Sequence, residues 1–257
     1  MSHPIIKSHG ICNLSVIPLR AHPSDESEIV SQLLFGDYVT ILEPGNPWIK
    51  IKNNADQYEG WIDFKQLSYI TEAVFKLDTS ITHPSVKTPS LEIVSSIGKQ
   101  TIFLGSVLPY LDGKKFRIGA QVYTIHSQIE NTEIAPFEYA NYYLNAPYLW
   151  GGKSLHGIDC SGLIQNCFKA YLPLLPRDAS QQVHEGKLVI WEERQINDVV
   201  FFKSKSGNVT HVGILSDKDL IIHAHGKVRQ DKIDDTGIWN AELEYYSHLT
   251  YCIKRFL

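Results

Sequence analysis

Cys160 is the residue whose surroundings best suit covalent catalysis. It lies in the segment Gly157-Ile158-Asp159-Cys160-Ser161-Gly162, where a predicted helix begins. The unpaired backbone N–H groups and the positive dipole end of a helix N-terminus favour a thiolate, and a cysteine pKa of ~8.5 can fall to ~3.5–7.5 in such a place. Cys167, on the apolar face of the same helix, fits the commoner role of a small buried thiol. We therefore expect Cys160 to be a nucleophile with a lowered pKa.

Two histidines are placed to serve that thiol as a general base and as the group that orients the base. His211 begins the predicted strand 211–215, and His223 lies in the next predicted strand, 220–225, after a turn. Their side chains stand directly opposite each other only if the hairpin loop has an odd number of residues, such as three. A two-residue turn would place His211 across from Ala224. The alternative is that each histidine is simply a partly buried strand residue.

His211, His223 and His225 could also present three imidazoles to a metal ion. His223 and His225 are two residues apart in one predicted strand, so they share a face. However, no His-Glu motif accompanies them, and a metal hydrolase would leave the cysteine at the helix start unexplained. We therefore expect neither a metal ion nor another cofactor, and we expect thiol alkylators, not chelators, to inhibit the protein.

The elements that position these residues change from a helical to a strand pattern along the chain. Helical spacing begins near Ile134 and recurs after Asp159, and Pro173 ends the second helix. The apolar face of that helix consists of Leu163, Ile164, Cys167, Phe168 and Tyr171. Beyond Glu193 the apolar period falls to two, in residues 198–202, 211–215, 220–225 and 251–256. Helices followed by an antiparallel sheet predict an α+β domain, residues 132–257.

The first half of the chain has the pattern of short strands separated by turns. The strand-like runs are residues 14–19, 29–34, 38–42, 48–51 and 60–62. Their close spacing predicts a small β-barrel over residues 1–71. We interpret residues 72–131 as a second barrel of similar size, with strand-like runs at 105–111, 116–119 and 121–125 and a hairpin signal at Asp112-Gly113. A length of 257 residues agrees with two or three small domains.

Composition excludes several classes of function. The chain has 24 Lys+Arg against 28 Asp+Glu and no basic run, so nothing in it favours nucleic-acid binding. Its apolar stretches fall short of the ~20 residues that a membrane-spanning helix needs. Its 4 cysteines are scattered, without a Cys-x-x-Cys pair, so neither a disulfide framework nor a zinc site is indicated. With no signal-like apolar run near Met1, we expect a cytoplasmic protein; the alternative is a periplasmic or secreted protein from which an export signal has been removed. We also expect a monomer.

Five ordered blocks in the C-terminal half resemble the NlpC family, which are papain-like cysteine peptidases of bacterial cell-wall metabolism. The blocks are Tyr148-Leu149-Trp150-Gly151-Gly152, Asp159-Cys160-Ser161-Gly162-Leu163-Ile164-Gln165, Leu175-Pro176-Arg177-Asp178, His211-Val212-Gly213-Ile214 and Ile222-His223-Ala224. The pattern Trp48-Ile49-Lys50-Ile51 … Gly60-Trp61-Ile62 resembles the end of a bacterial SH3-like domain. The whole chain is similar to the γ-D-glutamyl-L-diamino acid endopeptidases. This similarity implies a papain-like α+β catalytic domain, with helices packed on an antiparallel sheet, preceded by two small SH3-like β-barrels.

The resemblance also implies roles for residues around the thiol. Cys160 matches the family's nucleophile, His211 its general base and His223 the third member that orients the base. Tyr148 matches a tyrosine whose hydroxyl lies near the nucleophile and helps to hold the oxyanion or the substrate backbone.

Further positions are implied to bind the substrate. Asp159 and Ser161 match a flanking pair that contacts the γ-D-glutamyl unit, and Asp178 of the Pro-Arg-Asp block belongs to the same predicted site. A serine that the subfamily can carry soon after this block has no secure match, because Ala179 follows Asp178 and Ser180 comes one residue later.

The resemblance extends the predicted site into the first barrel. Tyr58 matches a tyrosine that, with an acidic residue, meets the free amine of an N-terminal L-Ala; the acidic partner here is either Glu28 or Asp37. One carboxylate facing an ammonium would reject peptides with a blocked N-terminus. The implied partner is therefore a murein-derived peptide, L-Ala-γ-D-Glu-L-diamino acid, and the implied activity is its hydrolysis to L-Ala-D-Glu during peptidoglycan recycling.

Two other functions are compatible with the same residues. A non-catalytic protein that binds cell-wall peptides would use the SH3-like barrels, although such a protein would usually have lost one of the three catalytic residues. An acyltransferase could use the same cysteine and histidine, and analysis of the products would distinguish transfer from hydrolysis. Neither the sequence nor the resemblance decides between diaminopimelate and lysine as the diamino acid.

Overall fold

The computed structural model describes residues 8–127, 134–172 and 175–257. The chain divides into two compact units, Met1–Thr132 and Glu133–Leu257. This division lies within one residue of the predicted start of the catalytic domain. The predicted boundary between two barrels near residue 71 does not separate compact units, because the first unit is continuous across it.

The first unit contains a seven-stranded antiparallel sheet with the strand order β3-β2-β6-β5-β4-β1-β7. Its strands are β1 (His9–Cys12), β2 (Val16–Arg20), β3 (Ile29–Leu34), β4 (Tyr38–Glu43), β5 (Trp48–Asn53), β6 (Glu59–Asp63) and β7 (Leu67–Ile70), with a 3₁₀ turn at Phe64–Gln66. β2–β6 correspond to the five runs predicted from the sequence. The sequence pattern missed β1 and β7, which pair with each other along the sheet edge.

The rest of the first unit consists of one helix and a second sheet. Helix α1 (Glu72–Thr79) is followed by β8 (Ser90–Ser95), β9 (Gly98–Phe103), β10 (Lys115–Ile118) and β11 (Gln121–Ile125), in the order β10-β11-β8-β9. The strand predicted over residues 105–111 is wrong. Gly105 and Tyr110 have positive φ angles of 85° and 57°, and such left-handed backbone interrupts a strand. One buried cluster joins Phe35 and Tyr38 to Ile93 and Tyr123, so the two sheets share a core.

The second unit begins with short helices and hairpins and continues into a large sheet. Its elements are α2 (Pro136–Asn141), β12 (Lys153–Ser154), β13 (Gly157–Ile158), α3 (Cys160–Phe168), α4 (Ala179–Gln182), β14 (Lys187–Val189), a 3₁₀ turn at Trp191–Glu193, β15 (Val199–Lys203), β16 (Val209–Asp217), β17 (Leu220–His225), β18 (Lys227–Ile233), β19 (Gly237–Asn240) and β20 (Tyr245–Arg255).

The large sheet closes on itself. Its order is β14-β20-β15-β16-β17-β18-β19, and β19 also pairs with β20, so that six of its strands form a ring. The four strands expected from the sequence are all present, but the open sheet is in fact a six-stranded barrel with β14 attached outside. Helix α3 contacts β16 and β17, the strands that carry the two candidate histidines.

Helix α3 begins and ends for local reasons. Asp159 is its N-cap, and an Asp159 side-chain oxygen accepts a hydrogen bond of 2.7 Å from the backbone N–H of Gly162. All nine residues of the helix are buried, so polar residues such as Gln165 are buried along with the apolar face. The helix ends at Phe168, three residues before the predicted last apolar position; Pro173 lies outside the described residues. No helix in the described ranges combines the length and apolar character that crossing a membrane requires.

Candidate active site

Cys160 is the first residue of α3 and is 5% exposed. The backbone N–H groups of Ser161 and Val212 donate to its sulfur. Val212 is the residue after His211 in β16, so the thiol lies against the strand that carries the candidate base. Tertiary contact between α3 and β16 therefore brings together two residues that are 51 positions apart in sequence, 160 and 211.

The protonation state of Cys160 differs from the one predicted from the sequence. Burial raises the pKa of Cys160 to about 12, and the nearby charge of Asp159 raises it further. The two backbone donors and the charge of Arg177 act in the opposite direction but do not outweigh burial. The predicted lowering of the cysteine pKa is therefore wrong, because a helix N-terminus was considered without the burial that tertiary packing imposes. At neutral pH the residue is a thiol.

The hairpin that carries the two histidines has a different register from the predicted one. His223 pairs with Gly213, not with His211, so the two histidines are diagonal neighbours. The turn has only two residues, but a bulge between Leu215 and Asp217 adds one residue to β16. This extra residue returns the two histidines to one face of the sheet. The expected shared face is present, whereas the three-residue loop is not.

Three side chains form a continuous hydrogen-bonded line from β16 to β18. His211 Nε2 lies 2.8 Å from His223 Nδ1, and His223 Nε2 lies 2.9 Å from Asp231 Oδ2. His211 and His223 are 6% and 0% exposed. Arg229, two residues before Asp231 in the same strand, donates from Nη2 to Asp231 Oδ1 at 2.9 Å.

Both histidines are neutral at neutral pH. Burial lowers the pKa of His211 well below its ordinary value, and the imidazoles of His248 and His223 lower it further. Burial also lowers the pKa of His223, although its hydrogen bond to Asp231 acts in the opposite direction. A neutral imidazole beside a neutral thiol can take the thiol proton during attack, which is the arrangement of general-base catalysis.

His248 of β20 was missed by the sequence analysis. Its ring stacks on that of His211 with a centroid distance of 4.0 Å and an interplanar angle of 24°. Burial is the largest cause that lowers the pKa of His248 to about 3. The sequence offered no signal for it, because the last strand was predicted to begin only at residue 251.

The histidines that could hold a metal ion are not the three considered from the sequence. Candidate ligand atoms of His211, His223 and His248 all lie within 4.8 Å of one another, whereas His225 is exposed. His225 was expected to share a face with His223, and the two rings do stack at 6.2 Å. Strand β20, which pairs with β15 on one side and closes the barrel against β19 on the other, supplies His248 instead.

Asp159 and Arg177 form an ion pair that is almost sealed from water. Arg177 Nη1 donates to Asp159 Oδ1 at 3.0 Å, Nη2 approaches Oδ2 at 2.5 Å, and Nη1 also reaches Ser161 Oγ at 2.9 Å. The backbone N–H of Gly151 donates to Asp159 Oδ2 at 2.8 Å. Asp159 thus links the glycine loop, the helix start and Arg177. The predicted contacts of Asp159 and Ser161 with a substrate stay predictions, and the role of Arg177 as their shared partner was missed.

Tyr148 and Asp178 are the two other predicted site residues of this unit. In the sequence, one precedes and the other follows the start of α3. Tyr148 is partly buried, and burial raises its pKa to about 12, with the nearby charges of Cys160 and Asp159 adding to the rise. The Tyr148 hydroxyl therefore interacts electrostatically with Cys160 and Asp159. Asp178 is the N-cap of α4, and its backbone N–H donates to Gln181 Oε1 at 3.3 Å. Its predicted substrate contact is untested.

The predicted amine-binding residues belong to the first unit. Tyr58 is partly buried and packs against the core of the seven-stranded sheet, while Glu28 is exposed. Asp37 is only 3% exposed, and its carboxylate accepts a hydrogen bond of 2.8 Å from the backbone N–H of Leu34. Asp37 therefore stabilises the turn between β3 and β4. Of the two acidic candidates, Glu28 alone is open to solvent.

Two parts of the chain match models of known families. Residues 145–246 match the NlpC/P60 family, and residues 19–67 match the bacterial dipeptidyl-peptidase Sh3 domain. The predicted resemblance is therefore confirmed. The helix start at Cys160 and three of the four expected strands, 198–202, 211–215 and 220–225, lie within the first of these matches.

Several proteins and structures resemble most of the chain. It is 28% identical over 230 residues to a gamma-D-glutamyl-L-lysine dipeptidyl-peptidase of Bacillus cereus, covering 78% of this chain and 68% of that protein. A Bacillus subtilis protein of the same name is 27% identical over 222 residues, covering 77% and 73%. A crystal structure of an NlpC/P60 family protein from Bacillus cereus superposes with a TM-score of 0.80 at 21% identity, covering 97% of this chain and 100% of that one. This last similarity shows the fold.

Proposed function

The chain joins an NlpC/P60 domain to a bacterial dipeptidyl-peptidase SH3 domain, and from this we propose that it is a cysteine peptidase of murein peptides. It hydrolyses the bond between γ-D-glutamate and the L-diamino acid in stem peptides that carry a free N-terminal L-Ala. The observation that carries the proposal is the placement of Cys160 against β16, next to the line His211–His223–Asp231.

The reaction begins from a neutral thiol and a neutral imidazole. His211 takes the proton of Cys160 as the sulfur attacks the γ-carbonyl carbon of D-glutamate. The tetrahedral intermediate then expels the amine of the diamino acid, to which His211 returns the proton. Water, activated by the same imidazole, hydrolyses the thioester and releases L-Ala-D-Glu with the free thiol. No electron transfer occurs.

Two groups are proposed to stabilise the oxyanion. The backbone N–H of Cys160 is at the first position of α3, where helical amides have no partner within the helix. The Tyr148 hydroxyl is the second donor, and its raised pKa keeps it protonated throughout the neutral range. Both groups are fixed before the substrate arrives, since α3 and the glycine loop are held by Asp159.

Selection of a free N-terminus is assigned to Tyr58 and Glu28. An exposed carboxylate attracts the ammonium of L-Ala, and Asp37 is too buried to do so. The two Bacillus relatives are named for a γ-D-glutamyl-L-lysine bond, which supports the same bond class here. A peptide with a free amine is a product of wall trimming, so the proposed role is murein recycling inside the cell.

Digestion of matched peptides tests this proposal. The substrates are L-Ala-γ-D-Glu-L-Lys, its diaminopimelate counterpart and the N-acetylated form of each, and mass spectrometry follows L-Ala-D-Glu or its acetylated form. We expect cleavage of the free peptides and at least about tenfold slower cleavage of the acetylated ones, since an acetylated N-terminus carries no positive charge for the Glu28 carboxylate to bind. Equal cleavage of both forms would remove Tyr58 and Glu28 from the proposal. Failure to cleave any of them would refute the peptidase function.

A further inference from the structure

We propose that Asp231 is a positioning residue that fixes, through His223, which ring nitrogen of His211 is free to accept a proton. The inference deepens the proposed function, and its catalytic part rests on that function. The tautomers themselves can be measured without any substrate.

The line begins at a carboxylate that stays ionised. Arg229 donates from Nη2 to Asp231 Oδ1 at 2.9 Å, and its Nε lies 2.7 Å from Oδ2. Burial would raise the pKa of Asp231, but the hydrogen bonds from His223 and Arg229 outweigh burial and hold it below its ordinary value. An ionised carboxylate only accepts hydrogen bonds. The bond of 2.9 Å between His223 Nε2 and Asp231 Oδ2 therefore requires the proton on His223 Nε2.

The next bond transfers this constraint to His211. Because His223 is neutral and carries its one ring proton on Nε2, its Nδ1 is an acceptor. The 2.8 Å contact with His211 Nε2 then requires His211 to donate from Nε2. His211 is also neutral, so its Nδ1 is left without a proton. Asp231 thus selects the tautomer in which His211 Nδ1 is the basic nitrogen.

Other titratable groups lie near this line, and they act on it through charge alone. The ring of His248 on β20 is 5.7 Å from that of His223, and the ring of His225 on β17 is 6.2 Å away. Glu242, after β19, lies 3.6 Å from Arg229 Nη1. Both nitrogens of His223 are already bonded, to His211 and to Asp231. The direction of the hydrogen bonds therefore depends on Asp231.

The replacement Asp231→Asn is expected to reverse the line. An amide can donate its N–H to His223 Nε2, which moves the proton of His223 to Nδ1 and the proton of His211 to its own Nδ1. The base nitrogen is then blocked. In a Ser-His-Asp triad the equivalent substitution gives the wrong histidine tautomer and lowers kcat about 10⁴-fold. Because Asp231 acts through one further histidine, we expect kcat to fall by about 10² to 10⁴-fold, with KM changed less than about threefold.

The experiment uses the full chain labelled with ¹⁵N-histidine, measured by NMR near neutral pH. The wild type is expected to show His211 and His223 both protonated on Nε2. Asp231→Asn is expected to move these protons to Nδ1, and Asp231→Glu to keep the wild-type tautomers and recover part of kcat. The matched control is Asp219→Asn, since Asp219 pairs with Arg194 at 2.7 Å on the surface; it is expected to change neither tautomers nor kcat.

The outcomes separate this inference from the proposed function. A wild type with His211 protonated on Nδ1 overturns the inference, even if Asp231→Asn fails to fold. Unchanged tautomers in a folded Asp231→Asn variant overturn it too. If the tautomers behave as expected but no murein peptide is cleaved, the inference holds for the site and the proposed function fails.

Discussion

The site is flanked by two Asp–Arg pairs that differ in depth. Asp159–Arg177 lies at the helix start, with side chains 6% and 1% exposed, whereas Asp231–Arg229 lies on β18, with side chains 10% and 18% exposed. The first carboxylate holds a helix start, a glycine loop and a buried guanidinium together. The second holds one imidazole and an arginine that reaches the surface. The Asp159–Arg177 pair therefore stabilises the fold, whereas the Asp231–Arg229 pair controls the protonation of a histidine.

The two carboxylates also act with opposite results on the groups beside them. The charge of Asp159 raises the pKa of Cys160, which disfavours the thiolate. The charge of Asp231 raises the pKa of His223 against the effect of burial, which favours a protonated ring. A negative charge suits a base that must receive a proton and opposes an acid that must lose one. This comparison explains why the nucleophile depends on the base and is not activated by its own helix.

The largest effect, a loss of stability, is expected from Asp159→Ala. This change removes the cap of α3 and leaves Arg177 buried without its carboxylate, so the free energy of unfolding should fall by about 3–5 kcal/mol. Urea unfolding of the full chain, followed by circular dichroism, measures the change. In the double variant with Arg177→Met the unpaired charge is gone, and part of the loss should return. A loss below about 1 kcal/mol would contradict the anchoring role.

The second effect concerns the pH dependence of Cys160 alkylation. Because the cysteine pKa is raised, the thiolate fraction should grow with pH, and the rate with iodoacetamide should rise about tenfold per unit between about pH 6 and pH 9. Peptide mapping identifies the modified residue. A rate that is already constant from about pH 5 would reveal a thiolate–imidazolium pair and would contradict the neutral resting state.

The smallest effect is expected from Arg229→Met. Arg229 is partly exposed, and Asp231 keeps its hydrogen bond to His223 without it. The free energy of unfolding should fall by about 1 kcal/mol or less, and kcat by less than about tenfold. The same urea and peptide assays measure both. A loss as large as that of Asp159→Ala would show that the two pairs are equivalent after all.

Local sequence cues located the site but not its geometry. Cys160 after an Asp cap and the two histidines around a short turn are patterns of neighbouring residues, and these positions were found. The bulge in β16 and the closure of the barrel by β20 depend on distant strands, so the register and His248 were missed. Asp231 and Arg177 were passed over for the same reason, since each has its role only through a partner from another segment.

The predicted direction of the Cys160 pKa shift was wrong for a related reason. The helix N-terminus is visible in the sequence, whereas the burial of Cys160 under β16 and the proximity of Asp159 to its sulfur are not. In the first unit, short alternating strands were found from their own residues. The edge strand β7 and its neighbour β1 were not, because β7 forms by pairing with β1, and β1 by pairing with both β7 and β4.

The central claim is that the thiol of Cys160 is the nucleophile of a murein peptidase. It is tested most directly by the rate of L-Ala-D-Glu release from L-Ala-γ-D-Glu-L-Lys by Cys160→Ala, with Cys252→Ala as a matched control that removes a half-buried thiol of β20. The account predicts a loss of about 10⁴-fold or more for Cys160→Ala, as for other enzymes that lose a nucleophile, and little change for the control. Full activity of a folded Cys160→Ala variant would contradict it.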